Sequence, residues 1–135
     1  MRAFREAVEA GDLDAVEALL AEDVVFSSPV VFKPYPGKAI TTAILRAVSE
    51  VFEDFRYDRE LTGADGLDHA LVFTARVGDR ELSGCDFIHV DENGLIDELT
   101  VMVRPLSGAQ ALAAAMGARF EEIAKDAEAR SAVNS

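Results

Sequence analysis

The sequence has few residues of the kinds that build metal centres and disulfides. In 135 residues there are one cysteine, two histidines and no tryptophan. Cys85 has no second cysteine with which to form an internal disulfide. With only His69 and His89 beside it, the chain lacks a Cys/His set for a structural zinc site. We therefore expect neither a metal nor another cofactor.

Long apolar runs and an excess of positive charge are also missing. No stretch approaches the ~20 apolar residues of a membrane-spanning helix, and the first residues lack the apolar core of a signal peptide. We predict a cytoplasmic protein without membrane contact. The formal net charge of −12 repels phosphate groups, and no basic stripe interleaves with aromatic residues. We expect no nucleic acid partner.

The first half of the chain has helical periodicity around one strand. Half of all residues are hydrophobic, and the length suits one domain with its own core. Apolar spacing predicts three helices, over residues 2–10, 13–21 and 38–52. A short strand is expected at residues 24–28. The proline-rich, apolar residues 29–37 that follow predict a loop packed down over a cavity.

The second half changes to strand periodicity. Alternating residues between turn signals predict four successive antiparallel strands, over residues 55–61, 71–77, 81–90 and 95–103. After them, Ser107 can cap a C-terminal helix over about 106–126, and residues 127–135 are expected to form a loose tail. Helices followed by a strand meander predict a single α+β domain over residues 1–126, with helices on one face of the sheet.

Two stretches of the chain carry a family pattern. Residues 4–29 have the order helix, Gly-Asp, helix, Ala-x-Asp, strand and proline, and residues 82–103 form a strand, turn and strand. Over residues 2–105 the chain resembles the NTF2-like superfamily, which includes SnoaL-like and ketosteroid-isomerase-like proteins. The resemblance implies a cone, in which a curved antiparallel sheet wraps around N-terminal helices and encloses an apolar pocket. The C-terminal helix is an addition to that pattern.

The resemblance also assigns expectations to single residues. Ser28 falls where the isomerase has its carboxylate base, and Phe4 falls where it has a hydrogen-bonding tyrosine. Asp86 falls where the isomerase has the carboxylic acid of its oxyanion hole, which an apolar site keeps protonated. The resemblance thus implies that the acid is present while the base and the tyrosine are missing. We expect no ketosteroid isomerase activity.

Strand alternation gives an independent view of Asp86. On the strand over residues 81–90, Asp86 shares the face of Leu82 and Ile88. Desolvation on an apolar face favours the neutral carboxyl and raises its pKa. We interpret Asp86 as a catalytic acid or hydrogen-bonding anchor in the pocket. The alternatives are a salt bridge to a neighbour such as Arg104, or exposure of Asp86 to water at a frayed strand.

Two further side chains complete the candidate catalytic set. The hydroxyl of Tyr57 can reach into the cavity. The alternative is a structural role, in which Tyr57 is part of the core and its hydroxyl is hydrogen-bonded there. Ser28 has no base beside it to activate a nucleophile, so strand-end hydrogen bonding is its alternative. The expected contacts of an apolar substrate are Phe4, Phe26, Phe52, Phe55, Phe73, Ile88, Leu99, Val101 and Val103. His69 and His89 are interpreted as surface or interface residues.

The opposite, convex face of the sheet is too apolar to be fully exposed to solvent. It carries Val72, Cys85, Phe87 and Met102. Because such patches mark interaction sites, we predict a homodimer through this face.

Three functions remain open from the sequence. The first is a cofactor-independent isomerase, cyclase or dehydratase that acts on an apolar metabolite with Asp86 as acid or anchor. The second is a noncatalytic protein that binds a hydrophobic small molecule. The third is a dimeric protein-interaction module with an unused pocket.

Overall fold

The computed structural model describes residues 1–134, which form helices α1 to α5 and strands β1 to β6. The helices are α1 (Arg2–Glu9), α2 (Leu13–Ala18), α3 (Lys38–Val51), α4 (Leu106–Gly117) and α5 (Phe120–Asn134). The strands are β1 (Leu20–Ser27), β2 (Tyr35–Pro36), β3 (Glu53–Thr62), β4 (Asp68–Val77), β5 (Arg80–Val90) and β6 (Ile96–Arg104). None of the helices in this part of the chain combines the length and apolarity of a membrane span.

All six strands belong to one curved, unclosed sheet with the order β2-β1-β6-β5-β4-β3. Strands β3 to β6 form the predicted antiparallel meander. The α+β class and the NTF2-like architecture are therefore confirmed. The sheet differs from the prediction in two respects. Strand β1 runs parallel to β6, and Tyr35 and Pro36, within the predicted loop, form β2 and pair with β1. Local periodicity, from which the strands were predicted, carries no information on the direction in which distant segments pair.

Strand β1 begins earlier than the sequence predicted. The expected second helix extended to residue 21 and the strand was placed at 24–28, whereas α2 ends at Ala18 and β1 begins at Leu20. The backbone NH of Ile96 donates to the carbonyl of Leu19 over 2.8 Å, and Leu20 pairs with Ile96. This tertiary pairing outweighs the helical propensity of the segment.

The C-terminal region contains two helices instead of the single helix predicted over 106–126. The first ends at Gly117, a residue of low helix propensity, and the second begins at Phe120. Pro105, not Ser107, occupies the N-cap position of α4. The predicted loose tail is also wrong for residues 127–134, which continue α5, while residue 135 lies outside the described residues. Two ion pairs of Arg130 anchor α5, one to Glu17 and one within the helix.

The core lies between the concave face of the sheet and the helices. Its largest fully buried side chains come from β1, β4 and β6 and, in one case, from α3: Phe73, Leu20, Leu71, Ile96, Leu99, Val24 and Thr41. Helix α4 approaches β5 closely at Gly108, where an added Cβ would lie 2.7 Å from the Cβ of Leu82. This contact closes one end of the concave side with a helix.

Candidate functional site

A cavity of about 400 Å³ lies between the concave face of the sheet and the helices. Its wall is built from all five helices, from all six strands and from the loop after β1. The lining is almost entirely aliphatic and aromatic; its polar side chains are Ser28, Tyr35, Ser49, Tyr57 and Asp86. Among the described residues, no lysine, arginine or histidine lines it. Such a cavity suits an uncharged apolar molecule.

Asp86 and Tyr57 meet at the sheet side of the cavity. Tyr57 lies on β3 and Asp86 on β5, so the two side chains reach toward each other across β4. The hydroxyl of Tyr57 donates a hydrogen bond of 2.7 Å to Asp86 Oδ2. Both residues are buried, with exposed fractions of 6% for Tyr57 and 7% for Asp86.

The surroundings of Asp86 favour its neutral form. Burial raises the pKa of Asp86 from 3.8 to about 7, and the hydrogen bond from Tyr57 opposes that rise. Burial and the neighbouring Asp86 raise the pKa of Tyr57, so its hydroxyl stays protonated. The alternative salt bridge to Arg104 does not form, and Asp86 has no ion pair within residues 1–134. Asp86 Oδ1 has no hydrogen-bond partner in this part of the chain either.

Aromatic and cationic neighbours fix the ring of Tyr57. The rings of Phe55 and Tyr57 pack edge to face with centroids 5.0 Å apart, and Phe73 packs edge to face at 6.4 Å. The guanidinium of Arg5 lies 5.9 Å from the centroid of the Tyr57 ring. Ion pairs of Arg5 with carboxylates of α1 and β3 hold the guanidinium in turn. The hydroxyl that contacts Asp86 is therefore held by packing on several sides.

Gly84 allows Phe73 to pack against the β5 backbone two residues from Asp86. A Cβ at Gly84 would lie 2.4 Å from Phe73 Cζ and 2.6 Å from the backbone oxygen of Met102. Sequence reasoning missed this contact. The available signal was a glycine inside a strand, which is typical of a close backbone approach.

Most of the predicted substrate contacts meet at the cavity. Seven of the nine line it: Phe4, Phe26, Phe52, Phe55, Phe73, Leu99 and Val101. Ile88 and Val103 do not. Ile88 is part of the packed core and Val103 packs against that core, so other side chains fill the space in front of them.

The other predicted polar residue, Ser28, lines the cavity but is engaged locally. Its Oγ accepts a hydrogen bond of 3.1 Å from the backbone NH of Val30, the turn role that sequence reasoning gave as the alternative. Within residues 1–134, Ser28 makes no hydrogen bond to Asp86, the carboxyl of the lining, so no base activates its hydroxyl. Sequence reasoning did not individually name Val31 of the loop after β1 or Tyr35 of β2, and both also line the cavity.

One group of potential metal ligands lies on the outer side of the sheet. His89, Asp97 and Glu98 have ligand atoms within 4.8 Å of one another. The hydrogen bond of 2.6 Å between His89 Nδ1 and Asp97 Oδ1, together with nearby carboxylates, raises the pKa of His89. These three residues do not line the cavity. The hydrogen bond between His89 and Asp97 on an acidic surface explains why they lie close together without a metal ion.

Comparison with known proteins matches the chain to the SnoaL-like domain family over residues 1–99. A solved steroid delta-isomerase from Pseudomonas aeruginosa is 46% identical, with a TM-score of 0.84 over 88% of this chain and 87% of that chain. An uncharacterised protein with a cystatin-like fold from Silicibacter pomeroyi is 38% identical, with a TM-score of 0.85 over 94% and 91% of the two chains.

A proposed polyketide cyclase from Pseudomonas putida shares the fold at 23% identity, with a TM-score of 0.63 over 79% of this chain and 90% of that chain. No curated protein matches the sequence. The family match includes Tyr57 and Asp86 and ends within β6, before α4 and α5. The chain belongs to the SnoaL-like domain family of the NTF2-like superfamily.

Proposed function

We propose that this protein catalyses a proton-transfer reaction, an intramolecular cyclisation or isomerisation, on an uncharged apolar molecule that carries carbonyl groups. The observation that carries the proposal is the buried carboxyl of Asp86 on the wall of an apolar cavity, with Oδ1 left free of hydrogen bonds from the described residues. A general acid works best when its pKa lies near the working pH, and about 7 meets that condition.

The absence of a second base among the cavity-lining residues limits the substrate. Asp86 is the one carboxyl in the lining among residues 1–134, and Ser28 and Phe4 supply no base. The substrate therefore needs a carbon that is already activated, such as one between two carbonyl groups. Its enol attacks a third carbonyl further along the same molecule, and Asp86 Oδ1 donates a proton to that carbonyl oxygen as the C–C bond forms. The ionised Asp86 then takes back the proton of the enol hydroxyl, so protons balance.

Activity should depend on Asp86 and on its protonation. With a linear apolar triketone as substrate, in which an alkyl chain joins a 1,3-diketone to a third carbonyl, Asp86→Asn is expected to lower kcat/KM by about 10²–10⁴-fold, the contribution typical of a positioned acid. In the wild type, kcat/KM should be highest below pH ~7 and fall above it, because the acid must be protonated. A flat profile, or an active Asp86→Asn protein, would contradict the assignment. Ser28→Ala serves as the matched control in the same wall and should retain activity.

Replacing Tyr57 with phenylalanine should move the pH profile. Since the hydrogen bond from Tyr57 lowers the pKa of Asp86, its loss raises that pKa further. The falling limb of kcat/KM against pH is then expected at higher pH than in the wild type. A Tyr57→Phe protein with an unchanged profile would show that the hydroxyl does not tune Asp86.

A steroid ketone tests whether this protein shares the activity for which one relative is named. The Pseudomonas aeruginosa relative is called a steroid delta-isomerase. Because this chain has Ser28 and Phe4 at the positions expected for a base and a tyrosine, we predict no double-bond migration of a β,γ-unsaturated steroid ketone. Conversion by the pure protein would contradict that prediction.

Noncatalytic binding of a hydrophobic molecule is the second candidate, and the nearly polar-free lining favours it. Mass spectrometry of small molecules that copurify with the wild type and with Asp86→Asn separates the two functions. If both proteins copurify with the same compound in equal amounts, and neither converts it, noncatalytic binding would be favoured.

A further inference from the structure

One polar side chain of the cavity wall, Tyr35 of β2, has no role in the site described above. It lines the cavity and packs, partly buried, against the core. The other four polar side chains of the wall are engaged: Tyr57 bonds to Asp86, Ser28 accepts from a backbone NH, and Ser49 donates to a backbone carbonyl of its own helix. Tyr35 makes no hydrogen bond within residues 1–134, so its hydroxyl is free to bind a ligand.

Strand pairing places Tyr35 on the concave face of the sheet. Tyr35 of β2 lies opposite Phe26 of β1, and directly opposed residues of an antiparallel pair project from the same face. Phe26 is 3% exposed and itself lines the cavity. The two rings stack at an interplanar angle of 28°, with centroids 6.4 Å apart. The ring of Tyr35 is therefore held against the cavity wall before a ligand enters.

Tyr35 and Asp86 lie on opposite halves of the sheet. In the strand order, β1 and β6 separate β2 from β5. Three strand spacings of about 4.8 Å place the two backbones about 14 Å apart, before the curvature of the sheet is counted. The lining residues that β1 and β6 contribute between them are Phe26, Leu99 and Val101. The cavity thus has a polar group on each side of an apolar middle.

An apolar molecule that fills the cavity displaces water from the hydroxyl of Tyr35. The hydroxyl then needs a partner on the molecule, because a buried hydroxyl without a hydrogen bond costs free energy. A carbonyl oxygen at that end of the molecule accepts a hydrogen bond from Tyr35, whereas a hydrocarbon end leaves the hydroxyl unpaired. Sites that contain such a group discriminate against analogues that lack the matching oxygen.

We propose that Tyr35 binds a carbonyl oxygen at the far end of the ligand, while Asp86 faces the carbonyl that reacts. The inference rests on the proposed function for the reacting end and adds the class of substrate. That class is an elongated, uncharged polyketone with an apolar middle and one carbonyl beyond those that take part in C–C bond formation. Tyr35 is then a specificity-determining residue and takes no part in proton transfer.

Two ketones of nearly equal shape test this assignment. The first, 4,4′-bicyclohexanone, has a carbonyl at each end, and the second, 4-cyclohexylcyclohexanone, lacks one of them. Neither has a carbon between two carbonyls, so neither is a substrate. The Kd of each ketone is measured by titration calorimetry with the wild type and with Tyr35→Phe. The experiment is made at about pH 6, below the pKa of about 7 of Asp86, where the carboxyl keeps its proton.

The quantity compared is the Kd of the monoketone divided by the Kd of the diketone. Tyr35→Phe is expected to lower this ratio by about 5- to 10-fold, the net effect of one hydrogen bond. Differences in hydration and symmetry between the two ketones cancel when the two proteins are compared. The Kd of the monoketone should stay the same or fall, because phenylalanine keeps the stacked ring and leaves no hydroxyl unpaired. A general disturbance of the cavity would raise both Kd values and leave the ratio unchanged.

Two further variants serve as controls. Ser49→Ala removes another hydroxyl of the wall, one that already donates to a backbone carbonyl, and should keep the wild-type ratio. Asp86→Asn should also keep the ratio, because both ketones have the carbonyl that faces Asp86. Circular dichroism checks that each variant is folded.

The outcomes separate this inference from the proposed function, because the binding measurements need no turnover. An unchanged ratio in Tyr35→Phe, an equal fall of the ratio in Ser49→Ala, or a wild type that binds neither ketone would overturn the assignment of Tyr35. If the triketone is not converted while the ratio falls as expected, the proposed reaction fails and Tyr35 stands as part of a binding site. If the triketone is converted while the ratio is unchanged, the reaction stands and the assignment of Tyr35 fails.

Discussion

Asp86→Asn is expected to stabilise the folded protein at about pH 8 by on the order of 3 to 4 kcal/mol. The cause is the pKa of Asp86, which burial raises from 3.8 to about 7. Between these values the folded state keeps a proton that the unfolded state has released. The free energy of unfolding of the wild type therefore falls as the pH rises from about 4 to about 7, and stays low above. Asparagine has the same shape and carries no charge to desolvate.

Urea unfolding of the two proteins at several pH values measures this effect. Near pH 4 the wild type and Asp86→Asn should be about equally stable, and the difference should open as the pH rises. Asp79→Asn removes a carboxylate that is exposed in the turn after β4 and should change stability by less than about 0.5 kcal/mol. A difference that does not depend on pH would show that Asp86 is not a desolvated carboxyl.

This result would bear directly on function. Functional sites often contain side chains that lower the stability of the fold. Asp86 would be such a side chain if the protein with asparagine at this position is more stable at neutral pH. Stability and catalysis should then change in opposite directions in the same variant. Greater stability together with an unchanged reaction would favour the binding function.

Gly84→Ala is expected to destabilise the fold by about 2 to 3 kcal/mol, at the upper end of the range for overpacking. The new Cβ would lie 2.6 Å from the backbone oxygen of Met102 and 2.4 Å from Phe73 Cζ. The phenyl ring can move, but the backbone oxygen belongs to the ladder between β5 and β6. The ring is then displaced from β5, which changes the cavity wall beside Tyr57.

Unfolding in urea and the binding of an apolar fluorescent dye together measure this change. Gly117→Ala is the matched control, because its added Cβ meets nothing within 4 Å. We expect Gly84→Ala to lose stability and Gly117→Ala to lose none. Phe73→Leu in the Gly84→Ala background should restore part of the loss, since it removes the clash with the ring but leaves the clash with the backbone oxygen of Met102. Equal stability of the two alanine variants would contradict the close approach.

The sequence predicted the parts of the fold that depend on local patterns. Helical spacing located α1 and α3 to within one residue at each end, and turn signals located the meander. The early start of β1 and its parallel pairing were missed because they depend on contacts between Leu20 and Ile96, which are far apart in the chain. The helical residues 127–134 were missed because the tertiary ion pair of Arg130 lies outside any local pattern.

The candidate site was predicted residue by residue but not as an arrangement. Strand parity and the family resemblance both pointed to Asp86, and Tyr57 was named separately. Their hydrogen bond depends on the register of β3, β4 and β5, which the sequence does not encode locally. Parity also placed Ile88 on the correct face, but only packing decides whether an inward side chain lines a cavity or fills a core.

The cavity is assembled from two parts of the chain that the family match separates. Residues 1–99 contain the Asp86 and Tyr57 pair, whereas Leu112, Met116, Phe120 and Ile123 of α4 and α5 complete the wall from outside the matched span. The Asp86 and Tyr57 pair and part of the surface that limits ligand size are therefore encoded in different segments. In evolutionary terms, a lineage can exchange or lengthen the C-terminal helices and reshape the cavity while Asp86 and Tyr57 stay unchanged. The same division gives protein engineers a segment to recombine between relatives without changing the buried pair.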